Sequence, residues 1–243
     1  MSGDLTFGPV SQLREAKPLR LTRPLAGIVI IATLIAAFVP GDLLLEHLGL
    51  GLPLLRMAVI AAMTLVGAQC ALACGLRLEP HGAPHPLLIG VLAAVGVAAM
   101  VFTLDAVLLR GQLEPGYAQY LASPLPTRLA GFMLRAFNEN VIYRLFVFPA
   151  LALAAHRALG RKAISPVILI GAMIAAQLIN IAINVVGTSE LPVTAARVAF
   201  DGIRYVAPGV LWALLFRRHG FAVAEVASVG CHVFLQPAFT LAF

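Results

Sequence analysis

Apolar residues in this chain come in runs too long for a half-buried strand or a surface helix. Seven stretches approach the about 20 mostly apolar residues that a membrane-spanning helix needs. They are Leu25–Leu44, Leu54–Leu76, Pro86–Leu109, Leu129–Leu153, Ser165–Val186, Thr194–Phe216 and Phe221–Phe243. Pro40-Gly41-Asp42 interrupts the first, and Arg197, Asp201 and Arg204 dilute the sixth. Between the third and fourth, Gly111–Thr127 is too polar to span; with Tyr117, Tyr120 and its prolines it reads as a surface loop or interfacial segment. Residues 1–24 form a polar N-terminal segment with no apolar centre of the kind a cleavable signal carries, so the first apolar stretch is expected to stay as an anchor. Residues 25–243 read as one all-α polytopic transmembrane helix bundle of about seven spans, without the internal repeat that marks many transporters.

Composition sharpens this. Of 243 residues, 60% are hydrophobic and 12% charged, with a mean hydropathy of +0.95. Soluble domains run near 45–50% apolar and about 25% charged, so a soluble enzyme or a disordered tail is excluded. The formal charge of +6 does not point to nucleic acid, because the basic residues lie between apolar runs and build no single basic face. They set orientation instead. Arg14, Lys17, Arg20, Arg23, Arg77, Arg157, Arg161, Lys162, Arg217 and Arg218 fall on one set of loops. Arg110 and Arg128, with Arg56 at a helix start, fall on the other beside Asp42, Glu46, Glu114 and Glu190. Positive charge collects in the cytoplasm, which places the N-terminus there. Cys70, Cys74 and Cys231 lie in apolar runs at spacings that suit neither a disulfide framework nor a zinc ribbon, and read as small buried side chains.

Chemistry must come from the polar groups kept inside the bilayer, where a charge at helix centre costs roughly 2.5–3.5 kcal/mol on insertion scales. The fourth span holds the densest set: Arg135, Asn138, Glu139, Asn140, Tyr143 and Arg144. On an α-helix Arg135 and Glu139 share a face, as do Asn140 and Arg144. Gln177, Asn180 and Asn184 make one stripe on the fifth span. Glu225, His232 and Gln236 fall within about 40° on the seventh. Three such faces enclose a polar intramembrane pocket. Plainer roles compete for several of these groups. Gln177 and Asn180 suit interhelical hydrogen bonds, Arg135, Arg197, Asp201 and Arg204 suit structural ion pairs or the surface, and Glu225 suits snorkelling near its helix start. Glu139 and His232 sit near mid-span, where a functional role is the stronger reading. No HExxH occurs, and His232 is the one deep imidazole; neither a metal nor another cofactor is expected.

Glu139-Asn140-Val-Ile-Tyr143-Arg144 resembles the EExxxR motif of the CAAX-protease and bacteriocin-processing (CPBP, or Abi) family of intramembrane endopeptidases. The segment Gly209–Gly220, followed by His232-Val-Phe-Leu-Gln236, is similar to that family's last two helices and their HxxxN motif. Asn180-Ile-Ala-Ile-Asn184 falls where the family has FxxxH. Order and spacing agree over about residues 129–240. The resemblance implies Glu139 as the general base on water, His232 and Gln236 as the oxyanion side, and Asn184 in the place of the assisting histidine. Arg135, Asn140, Arg144 and Asn180 take supporting positions. It also implies a membrane-associated peptide or protein as substrate and a bacterial inner (plasma) membrane as location. Four departures stand out: Asn140 replaces the second Glu, Asn184 the His, Gln236 the Asn, and Asn180 the Phe. Asn184 orients a water but takes no proton from it.

Three functions follow for comparison. One is an intramembrane glutamate-type endopeptidase. A second is a catalytically impaired member acting as a membrane peptide-binding, immunity or scaffold protein. A third, a small transporter or channel subunit, lacks paired broken helices. The depth of Asn184, near the outer end of its span, leaves open whether Asn180 or Asn184 lines the pocket.

Overall fold

The computed structural model describes residues 21–38, 45–46, 48–108, 110–113, 115–160, 164–185 and 194–243. Residues 1–20 of the N-terminal segment, Pro40-Gly41-Asp42 and the loop carrying Glu190 lie outside them. Eight helices matter: α1 (Arg23–Phe38), α2 (Pro53–Ala73), α3 (Pro86–Leu108), α4 (Pro115–Leu121), α5 (Leu125–Ala158), α6 (Pro166–Asn184), α7 (Ala195–His219) and α8 (Phe221–Ala242). The described residues contain helices and no strand, and α2, α3 and α5–α8 are long and apolar enough to cross a membrane. The chain is an all-α polytopic bundle and an integral membrane protein. Of the first expected span, helix α1 covers 16 described residues, about 24 Å at 1.5 Å per residue, and residues 39–44 lie outside the described ones.

Helix starts follow from local chemistry. Proline occupies the first turn of α2, α3, α5 and α6, where its missing N–H costs nothing. Ser165 and Thr194 cap α6 and α7 by accepting from Ile168 N at 3.3 Å and Arg197 N at 3.2 Å. Gly220, at φ +98°, makes the turn from α7 into α8. There the first amides of α8 find carbonyls on the loop after α2: Phe221 N donates to Arg77 O and Ala222 N to Leu78 O, both at 3.0 Å.

Three long helices widen into π-helical turns, at Thr103–Leu108 in α3, Asn140–Val147 in α5 and Gly202–Val206 in α7. Two have a visible cause. Pro149 and Pro208 follow directly, and a proline ring clashes with the carbonyl four residues back, here that of Leu145 and Arg204 within the widened turns. All three turns carry ionisable side chains into the bundle: Asp105, Arg144 and Arg204, each no more than 7% exposed. The segment expected as a surface loop or interfacial stretch contains α4. The Tyr117 ring of α4 packs edge-on to Phe132 and Phe239, with centroids 6.3 and 6.5 Å away, so α4 rests on α5 and α8.

Candidate functional site

A cavity of about 310 Å³ lies among α3 to α8, and its wall includes Glu139, Arg135 and Arg144 of α5, Asn180 and Asn184 of α6, and His232 and Gln236 of α8. Seven of the eight residues to which the resemblance gives a role thus share one hollow. It is of the size at which ligand sites begin, roughly 300 Å³. Both asparagines of α6 line it, which answers the question of depth: α6 ends at Asn184, and the Asn184 amide donates to Asn180 Oδ1 and to the Tyr143 hydroxyl, each at 2.9 Å.

Asn140 is the exception. On a regular α-helix, residues five apart point about 140° away from one another; an i→i+5 turn brings them toward one side. Glu139 and Arg144 therefore both face the cavity. Asn140 lies off the cavity wall and donates to Glu225 Oε2 at 3.1 Å. Glu225 itself neither snorkels nor joins His232 and Gln236 on the wall. Seven residues are about 10.5 Å of helix rise, enough to take it beyond the cavity to Asn140.

Around the wall the polar groups fall into engaged and unengaged sets. Arg135 Nε donates to Glu139 Oε1 at 2.8 Å, with side chains 40% and 23% exposed. Arg204 pairs with Asp105 at 2.6 Å, donates to the Tyr205 hydroxyl, and stacks over the Tyr117 ring at 4.6 Å. Arg197 pairs with Asp201 at 2.7 Å. The expected structural ion pairs are therefore present. Gln177 accepts from Arg144 Nη2 at 2.6 Å and donates to Tyr205 O at 3.1 Å, tying α5, α6 and α7 together. Gly209 leaves the room for that amide, because a Cβ there would collide with the Gln177 side chain. Unengaged are His232 Nδ1 and both amide atoms of Gln236, which have no hydrogen-bond partner among the described residues. The His232 ring is held in place by stacking on Phe132, centroids 5.2 Å apart and 12° from parallel.

Buried polar atoms are almost always satisfied. Unsatisfied ones on a cavity wall mark where a ligand or water makes its contacts. Comparison with protein-family models, with curated proteins and with solved structures gives no match. The likeness to the CPBP family therefore rests on the motif residues themselves.

Sequence reading missed several members of this site. Asp105 was hidden in the apolar run of the third span, yet it is fully buried and anchors Arg204. Tyr117, Phe132 and Tyr205 line the cavity itself. Pro149 and Pro208 were the available signals for the widened turns. Cys74, just past α2, makes no nucleophile: burial pushes its thiol up to about 12, so it stays protonated.

Proposed function

We propose that this chain is an intramembrane endopeptidase of the CAAX-protease (CPBP) type, residing in a bacterial inner (plasma) membrane and hydrolysing peptide bonds of a membrane-associated protein or peptide. The observation that carries the reading is the presence of a carboxylate, Glu139, and an imidazole, His232, on the wall of one cavity, with the unsatisfied amide of Gln236 beside them. Arg135 engages one oxygen of Glu139 and leaves Oε2 to take a proton from water. The water oxygen adds to the scissile carbonyl carbon while His232 and Gln236 donate to the developing oxyanion. Collapse breaks the C–N bond, and the proton held by Glu139 passes to the leaving amine. Asn184 positions the water without carrying its proton.

The test is hydrolysis of apolar peptides by the protein in proteoliposomes. Glu139→Gln and His232→Ala each lower the rate about 10²–10⁴-fold, the scale of positioned acid–base and oxyanion help. A wild-type protein inert on a broad peptide library overturns the reading.

A second reading, a catalytically impaired peptide-binding, immunity or scaffold protein, is favoured by one observation. The amide of Asn184, in the place of the assisting histidine, is spent on Tyr143 and Asn180. It predicts a biological phenotype that survives Glu139→Gln.

A further inference from the structure

Exposed basic side chains gather at one end of the bundle. Arg77 follows α2, Arg157 lies in the last turn of α5 and Arg218 in that of α7, and all three are exposed. Hydrogen bonds tie the loop after α2 to the turn after α7: Phe221 N donates to Arg77 O and His81 N to His219 O, each at 3.0 Å. At the opposite end Arg56 is half-buried, Arg128 is 1% exposed and donates to the Thr240 hydroxyl, and Arg110 stacks over the Phe243 ring at 4.4 Å. Lys and Arg collect on the cytoplasmic side of membrane proteins, so the first end is the cytoplasmic one.

The cavity is closed toward that end. Four helices of its wall present Arg144 of α5, Gln177 of α6, Trp212 of α7 and Ser228 of α8 there, none more than 6% exposed. Partly exposed wall residues lie from mid-depth toward the other end, among them Tyr117, Phe132, Arg135, Val185 and Tyr205. Arg135 and Glu139 keep 40% and 23% of their side chains exposed. A guanidinium and a carboxylate turned to lipid would be strongly unfavourable, so this opening meets water. Among the described residues the hollow is a well, with its floor toward the cytoplasm and its mouth toward the other side.

We infer that the site is served from the non-cytoplasmic face, and that what enters it is a polypeptide segment already moved across the membrane. The nature of the occupant rests on the endopeptidase reading; the side of entry rests only on the basic end and the well. A segment presented in the cytoplasm would have to pass the floor. There Arg144 Nη2 donates to Gln177 Oε1 at 2.6 Å and Gln177 Nε2 to Tyr205 O at 3.1 Å, a tie across α5, α6 and α7.

Full-length protein with Cys70, Cys74 and Cys231 replaced by alanine carries one reporter at a time: Arg135→Cys or Val185→Cys at the mouth, and Arg218→Cys at the basic end. A charged, membrane-impermeant methanethiosulfonate is added to bacterial spheroplasts and to inverted membrane vesicles. Both mouth reporters are expected to react at least tenfold faster in spheroplasts, and Arg218→Cys at least tenfold faster in inverted vesicles. Two mouth positions keep the result readable if one variant fails to fold. Mouth reporters that react from the cytoplasmic side overturn the proposal. So does modification only by lipid-soluble N-phenylmaleimide, the sign of a mouth open to lipid, and so does no modification by either reagent. Labelling needs no turnover. External labelling without cleavage of an impermeant peptide given to spheroplasts counts against the endopeptidase reading and leaves the side of entry standing. Cleavage of that peptide in inverted vesicles alone overturns the side of entry and leaves hydrolysis standing.

Discussion

Helix α8 meets two very different neighbourhoods, and their contrast shows how this bundle is held together. Against α3 it lays Val223 and Val226 over Gly90 and Gly230 over Ala94, so closely that a Cβ on Gly90 would stand 2.9 Å from the Val223 carbonyl. Facing α5 to α7, the same helix presents Ser228, His232 and Gln236 to a cavity with unsatisfied polar atoms. In lipid no hydrophobic force drives helices together, so small residues and close dispersion contact do the work at the first interface. The second interface is lined with polar groups, and its buried charges Arg204 and Asp105 are paired.

The largest effect should therefore come from unpairing one. Arg204→Met leaves Asp105 buried and alone, and lowers stability by about 3–5 kcal/mol in detergent unfolding. The double variant Asp105→Leu/Arg204→Met recovers most of the loss. Failure of that recovery would mean that Arg204 acts through its aromatic contacts more than through its charge. On the dry side, Gly90→Ala forces α3 away from α8 and costs about 1–3 kcal/mol. A loss larger than that of Arg204→Met would invert the comparison. Smallest is Asn184→Ala, which removes hydrogen bonds to Tyr143 and Asn180 and costs about 0.6 kcal/mol, the average for such bonds between membrane helices.

The long apolar runs made the bundle legible, because span length is a direct demand of the bilayer. Spacings of three and four put Gln177, Asn180 and Asn184 on one face, and a spacing of four did the same for His232 and Gln236. What the α period could not give was the relation between Glu139 and Arg144, since the widened turn changes which residues share a side. The hydrogen bond from Asn140 to Glu225 joins residues 85 positions apart, a relation that no local spacing carries. Asp105 was illegible for another cause: one carboxylate in an apolar run acquires meaning only through its partner, and Arg204 lies 99 positions away.

The lashing of α8 to the loop behind α2, through the carbonyls of Arg77 and Leu78, has a consequence for biogenesis. Both His232 and Gln236 ride on a helix that the ribosome releases after every other wall of the hollow has been threaded into the bilayer. Until that late arrival clips onto an early loop, the nascent protein can be fully inserted and still carry half a pocket. The hollow is then completed by a single docking event, after translation of the preceding helices is over.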